Sequence, residues 1–532
     1  MPLRFLKPLR VAVAVGFLAL TSWLFLDFRD FGARELAGGV LYPQFVPSLM
    51  RFMGEAALGA TGFLVVLALT LLLGRVYCST ICPFGTLQDA IRRLADGWRR
   101  RAGTARPGYA FSKPHSRLRY AVLVLTVLLF LGGSGVLLNL LDPFSNFGRI
   151  FADLVRPAVL AANNLAASVA EPLGIHAVYR VQWPALAPVS IGVALAMLAT
   201  AGWCSARHGR LYCNTLCPVG TLLGLFAKHA VFRVRMMDAA ACVGCGRCAR
   251  VCKAGCIDVK EKTIDLTRCV GCYNCLAVCP EQALGLGPGR RGASGTDGRD
   301  PARRRFLLAL AALGAGLAPA RAKAALPATF VQSRPTTIPE ERTGPVSPPG
   351  SGSVAHFTSR CTACHLCVSV CPSRILVPAF LEYGPSGLLQ PRMVFRSGYC
   401  TFDCTACSQV CPSGAILALP KARKQRTQVG AARFVKENCV VFTDNTNCGA
   451  CSEHCPTKAV HMVPYLDMAD RKLVIPEVNT ALCVGCGACE HACPTRPYKA
   501  IYVRGNPVHK LAEKPVEKKL EPAPAAGEDF PF

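Results

Sequence analysis

Charged side chains are scarce in this 532-residue chain, at 17% against 52% for the hydrophobic set, a balance that suits a protein lying partly in a membrane. Acidic residues are the scarcer sign: 32 Asp plus Glu face 60 Lys plus Arg, for a net charge of +28. Nucleic acid is excluded as the reason, because many of the basic residues flank apolar stretches, where they set membrane orientation. No DNA-binding or signalling segment is present. Histidine is sparse too. None of the ten histidines falls in the apolar stretches at about 11–26, 56–74, 120–141 and 184–203, which excludes a bis-histidine haem there. The 30 cysteines lack the varied spacings of a disulfide framework and repeat a few short ones, which points to metal thiolates.

The four apolar stretches predict a four-helix transmembrane unit, since about 20 apolar residues cross the hydrocarbon core. The first is somewhat short. Arg4, Lys7 and Arg10 precede it, and the loop after the second carries Arg75, Arg92, Arg93, Arg99, Arg100, Arg101, Arg106, Lys113, Arg117 and Arg119 against Asp89 and Asp96. The loops at 27–55 and 142–183 have no such excess, so both ends of the unit are expected to face the cytoplasm. A fifth segment differs. Arg303-Arg304-Arg305-Phe306-Leu307, an apolar run to Ala320 and Ala322-Lys323-Ala324 together have the parts of a twin-arginine export signal set in mid-chain.

Gly74–Leu87 reads GRVYCSTICPFGTL and Gly209–Leu222 reads GRLYCNTLCPVGTL, identical at ten of 14 positions. In each copy two cysteines lie four apart, on one face if the segment is helical, and the proline disfavours helix at the second. Cys78, Cys82, Cys213 and Cys217 are therefore a possible additional metal or cluster site; the other reading is a structural bend with non-ligating thiols. Cys204 with His208 is a weaker pair of candidates.

Six further runs hold 24 cysteines. Cys242, Cys245, Cys248 and Cys252, then Cys269, Cys272, Cys275 and Cys279, follow the C-x2-C-x2-C-x3-C spacing of two-cluster bacterial ferredoxins, in which the fourth cysteine serves the other cluster. Lys253 stands where proline is usual, and Cys256 is left over. Cys361, Cys364, Cys367 and Cys371 come next, then Cys400, Cys404, Cys407 and Cys411, then Cys439, Cys448, Cys451 and Cys455, then Cys483, Cys486, Cys489 and Cys493, each run closing in Cys-Pro. Their starts lie 39, 39 and 44 residues apart, which argues for a repeated ferredoxin fold. Pairing first with second, or first with fourth and second with third, are both open. Zinc needs neither the third cysteine nor the Cys-Pro. Cys361-Thr-Ala-Cys364-His365 matches a c-type haem motif, but the ferredoxin pattern runs straight through it and His365 reads as incidental. Six [4Fe–4S] clusters are expected.

With these motifs in view, residues 1–290 resemble the NapH/MauN family of membrane ferredoxins, and residues 300–505 the NapG/MauM family of exported four-cluster ferredoxins. The resemblance implies a fusion of the two, working as a quinol dehydrogenase module of the inner membrane. It would pass electrons from the quinone pool to a periplasmic redox partner, a c-type cytochrome or a molybdenum enzyme such as nitrate reductase. The expected fold is α+β multidomain. A transmembrane unit (1–235) leads to a cytoplasmic two-cluster domain (236–290), a signal or anchor (298–326), a linker (327–355), a periplasmic four-cluster domain (356–505) and a disordered tail (506–532). Asp142 and Pro143, at the outer end of the third span, are a weak candidate for the quinol site. An accessory protein that matures or reduces a partner's metal centre is the alternative.

Overall fold

A computed structural model describes residues 5–55, 58–104, 108–183, 187–288, 344–468 and 471–514. The expected export signal at 298–326 lies outside them.

The first part of the chain is helical: α1 (Leu6–Leu26), α2 (Ala33–Leu41), α3 (Phe45–Glu55), α4 (Gly62–Leu73), α5 (Tyr77–Thr80), α6 (Pro83–Arg101), α7 (Ser116–Leu131), α8 (Val136–Leu141), α9 (Pro143–Ile150), α10 (Arg156–Ala170), α11 (Pro188–His208), α12 (Leu211–Thr215) and α13 (Pro218–Ala227). One turn of π-helix, Phe151–Val155, joins α9 to α10. Among the described residues two helices, α1 and α11, each of 21 residues, are long and apolar enough to cross a membrane. The other two expected spans are shorter. Helix α4 has 12 residues, because a 3-10 turn at Leu58–Ala60 precedes it. The third stretch breaks at Gly132-Gly133, where Gly133 takes φ +83°, leaving 16 residues in α7 and six in α8. At about 1.5 Å per residue, α7 falls short of the hydrocarbon thickness. From Leu118 onward its outward side chains are nonetheless mostly apolar: Leu118, Val124, Leu125, Leu128 and Leu131 are all exposed.

The sequence repeat is also a structural repeat. Helices α4–α5–α6 and α11–α12–α13 follow the same order, and the halves interlock: α6 packs on α11 and α13 on α4. Proline sets the starts of α6 and α13. It sits at the first helical position, where its missing N–H costs nothing, and the preceding cysteine is the N-cap. Helix α9 starts in the same way, with Asp142 as N-cap and Pro143 behind it.

Two cysteine-rich modules dock on opposite ends of α1. The first, from β1 (Phe232–Met236) through the short β2 (Ile257–Asp258) and β3 (Thr263–Ile264) to β4 (Leu284–Pro288), closes by antiparallel pairing of β1 with β4 and β2 with β3. It lies by the N-terminal end of α1: Arg10 donates to the Ser79 carbonyl at 3.1 Å, and Ser79 Oγ donates to the Gly271 carbonyl at 3.3 Å. The second module lies by the other end, where Phe25 packs on Phe144 and Phe147. Asn139 Nδ2 there donates to the Cys361 carbonyl at 3.1 Å. A Cβ on Gly148 would stand 2.2 Å from the Cys364 carbonyl oxygen, so glycine permits this approach.

The second module holds two bodies. One carries β5 (Leu376–Pro378) paired with β6 (Pro391–Met393). The other carries β8 (Val460–Met468) paired with β9 (Arg471–Val478). A ribbon of β7 (Thr427–Phe434) and β10 (Ile501–Leu511) runs alongside. Residues 344–355 and 506–514, expected as linker and tail, belong to this module. Val346 bridges to Met393, Ser347 is fully buried, and Leu511 pairs with Thr427. Proline and lysine in β10 hid the strand from a composition argument, and the pairing shifts register between Gly505 and Lys510.

Candidate metal centres

The cysteines gather as a ferredoxin pattern requires. Cys242, Cys245, Cys248 and Cys279 line one small cavity. Cys252 lies with Cys269, Cys272 and Cys275, near enough that each thiolate would raise the pKa of Cys275. Cys256 is buried beside this group, its sulfur 3.5 Å from that of Cys252. In the second module Cys361, Cys364 and Cys367 lie with Cys411, and Cys371 with Cys400, Cys404 and Cys407. Cys439, Cys448, Cys451 and Cys493 line another cavity, and Cys455 neighbours Cys483, Cys486 and Cys489. Runs therefore pair first with second and third with fourth, and each fourth cysteine crosses to the partner run. The alternative of first with fourth and second with third is not what the fold brings together.

Backbone donors face these sulfurs. Cys411 accepts from the Ile416 N–H at 3.4 Å, Cys455 from Ala459 at 3.2 Å and Cys483 from Ala432 at 3.4 Å. Such donors stabilise negative charge on thiolates and on any cluster they hold. Among the described residues no three His, Cys, Asp or Glu side chains stand where a single metal ion could be held. The donor set, four thiols per group, fits cubane clusters, whose four iron atoms spread the ligands apart.

His365 is no bystander. Its ring is buried, with Nδ1 3.0 Å from Asp153 Oδ2 on the π-turn and Nε2 2.9 Å from the Leu389 carbonyl. Ser190 on α11 donates to the same carboxylate. Asp142 is accounted for by capping: Oδ2 accepts from the Ser145 N–H at 2.8 Å and its hydroxyl at 2.7 Å, while Oδ1 is buried without a partner. Cys204 is buried, and His208 stacks edge-on against Trp203 rather than joining it.

The repeat cysteines come together. Cys78, Cys82, Cys213 and Cys217 are each 5% exposed or less, and burial followed by mutual repulsion pushes the Cys82 and Cys217 thiols up. Sequence reasoning missed their neighbours. Several arginines counted toward membrane orientation are interior instead: Arg10, Arg75, Arg92 and Arg119 are buried. Asp89 is the hub of this layer, 2.7 Å from Lys253 Nζ, 3.0 Å from Arg210 Nη2 and 3.7 Å from Arg10 Nη1. Burial alone would raise its pKa, but Arg210 and Lys253 hold the carboxyl well below the ordinary range.

Comparison with known proteins agrees with this geometry. A family model described as a 4Fe-4S binding domain matches residues 56–102 and 181–236, the two repeats. A 4Fe-4S dicluster domain model matches 241–283, 360–415 and 445–497, the three paired bodies. The ferredoxin-type protein NapF of Escherichia coli (strain K12) is 30% identical over 140 residues, 26% of this chain and 74% of that protein. The ferredoxin-type protein NapH of Haemophilus influenzae is 25% identical over 230 residues, 43% of this chain and 62% of the relative. The methylamine utilization ferredoxin-type protein MauN of Methylorubrum extorquens is 29% identical over 199 residues, 37% of this chain and 54% of the relative. No solved structure matches. The chain is an iron–sulfur protein of the ferredoxin-type family represented by NapF, and is related to NapH and MauN.

Proposed function

We propose that the chain is a membrane-bound electron carrier holding six [4Fe–4S] clusters, two in the first module and four in the second. It joins a NapH/MauN-like part to a NapG/MauM-like part. Electrons enter from membrane quinol and leave to a periplasmic acceptor such as a nitrate reductase. The observation that carries this reading is the crossing of each fourth cysteine into its partner run, three times over, which is how a two-cluster ferredoxin closes. Cys242, Cys245, Cys248 and Cys279 would hold one cluster and Cys252, Cys269, Cys272 and Cys275 the next. Cys361, Cys364, Cys367 and Cys411 would hold a third, and Cys371, Cys400, Cys404 and Cys407 a fourth. Cys439, Cys448, Cys451 and Cys493, then Cys455, Cys483, Cys486 and Cys489, complete the set.

Bound clusters supply one-electron carriers. The protein's part is to bury the thiolates, aim N–H groups at them and hold the modules at fixed spacing. A membrane setting is supported by α1 and α11 and by the exposed apolar face of α7. The docking of the modules on opposite ends of α1 favours one on each side of the bilayer, the first in the cytoplasm and the second in the periplasm. The test is iron and acid-labile sulfide analysis with EPR on the anaerobically purified chain, followed by titration with quinol. Iron and sulfide in equal amounts and quinol-reducible EPR signals are expected. Zinc in place of iron would overturn the cluster assignment, and clusters that no quinol reduces would overturn the donor.

A further inference from the structure

The repeat cysteines are surrounded by N–H donors. Gly85 N–H donates to Cys82 Sγ at 3.4 Å, and its counterpart Gly220 donates to Cys217 Sγ at 3.2 Å. Each of these cysteines caps a helix, so the positive end of α6 or α13 points at its sulfur. Arg75 Nη2 lies 3.8 Å from Cys78 Sγ, and Arg210 Nη1 lies 4.0 Å from Cys213 Sγ. Gln88 Nε2 is 3.4 Å from Cys213 Sγ. All four sulfurs thus face N–H groups.

The same arginines tie the halves together. Arg75 reaches across to the Cys213 carbonyl at 3.2 Å, and Arg210 to the Cys78 carbonyl at 2.9 Å. Glycine makes room for them. A Cβ on Gly85 would stand 2.4 Å from Arg210 Nη1, and one on Gly220 would stand 2.8 Å from Arg75 Nη2. Arg75 is fully buried, yet its partners are Asn214 Oδ1, the Thr267 and Cys213 carbonyls and the Cys78 sulfur, with no carboxylate among the described residues. A buried guanidinium without a carboxylate is stabilised by another anion nearby. Four thiolates around a metal centre would provide it.

The quartet also lies between the two modules. Ser79, next to Cys78, touches the Gly271 carbonyl of the first module, and Arg75 touches Thr267. On the other side Tyr212, next to Cys213, is 3.2 Å from Asn146 Nδ2. Asn146 Oδ1 is 2.6 Å from Arg149 Nη2, and Arg149 Nη1 is 3.5 Å from the Ala363 carbonyl, between Cys361 and Cys364.

We propose that Cys78, Cys82, Cys213 and Cys217 ligate one further iron–sulfur cluster shared by the two repeats, which relays single electrons between the modules. The role rests on the reading that both modules carry clusters. In each transfer one module gives up an electron and the other gains it; no bond is made or broken.

The test uses the full chain purified anaerobically. Wild type should hold about 28 iron atoms per chain and Cys213→Ala about 24, with the remaining cluster signals unchanged. Equal iron in the two would overturn the site while leaving the six ferredoxin clusters standing; a wild type without iron would overturn both readings. If Cys213→Ala does not accumulate, Gln88→Leu keeps every ligand and should shift the midpoint potential of one EPR signal, and no shift in any signal would overturn the proposal. For the relay, dithionite added outside vesicles containing the protein should reduce both modules of wild type but only the outward one of Cys213→Ala. Reduction of both modules in that variant would overturn the relay.

Discussion

Nδ1 of His365 lies 3.0 Å from Oδ2 of Asp153, joining residues 212 positions apart in the chain. The contact sits where the second module meets the helical unit, and Asp153 stands on a π-turn, a local irregularity common at functional positions. Replacing His365 with Ala leaves a buried carboxylate with Ser190 as its remaining donor, at a cost of about 2–4 kcal/mol. The module should then dock less firmly. Faster hydrogen exchange at 361–366 in the variant checks this, and unchanged exchange would contradict it.

Asp89 balances several buried cations, so Asp89→Asn should be severe, about 3–5 kcal/mol. Because the folded state holds this carboxyl well below its ordinary 3.8, its contribution is complete above that value and is lost as pH falls toward the folded one. Thermal unfolding of wild type and variant should differ most at neutral pH and converge in acid.

His509 gives a second pH dependence of independent origin. Burial lowers its pKa from 6.5 to about 4. The unfolded chain takes up the proton first, so stability is full above pH 6.5 and falls as pH drops toward 4, by at most about 3 kcal/mol. His509→Asn should flatten that slope in the apparent melting temperature, the Ser347 hydroxyl remaining available to the amide.

Cys489 lies in the core of the last body with Cys439, Cys451 and Cys483. Cys489→Ala should cost about four iron atoms per chain and lower the melting temperature of the second module, since cluster binding and folding are linked. Iron analysis of the purified variant reads this directly, and unchanged iron would remove Cys489 from the ligand set.

How much of this was legible beforehand depended on the range of the physics involved. Cysteine spacing is covalent and local, so the ferredoxin runs and the repeat could be read directly. Pairing of the later runs depends on tertiary approach, and only the fold brings Cys411 to Cys367 and Cys455 to Cys489. Apolar stretches announce helices, yet Gly132-Gly133 shortened one of them in a way that hydropathy alone does not register. Basic residues near such stretches suggested orientation, whereas Arg75 and Arg119 turn inward. His365 and Asp89 carried no local signal, because their charged partners Asp153, Arg210 and Lys253 lie more than a hundred residues away.

For the relay proposed above, Gly148 sets how closely the helical unit approaches the second module. Rates of tunnelling fall exponentially with separation, so the closeness of helix and ligand loop here acts as a conductance setting. A single added methyl group would wedge the Cys364 loop outward. The protein could then keep its full complement of metal and still turn over slowly, an impairment that composition analysis would miss and transient kinetics would catch.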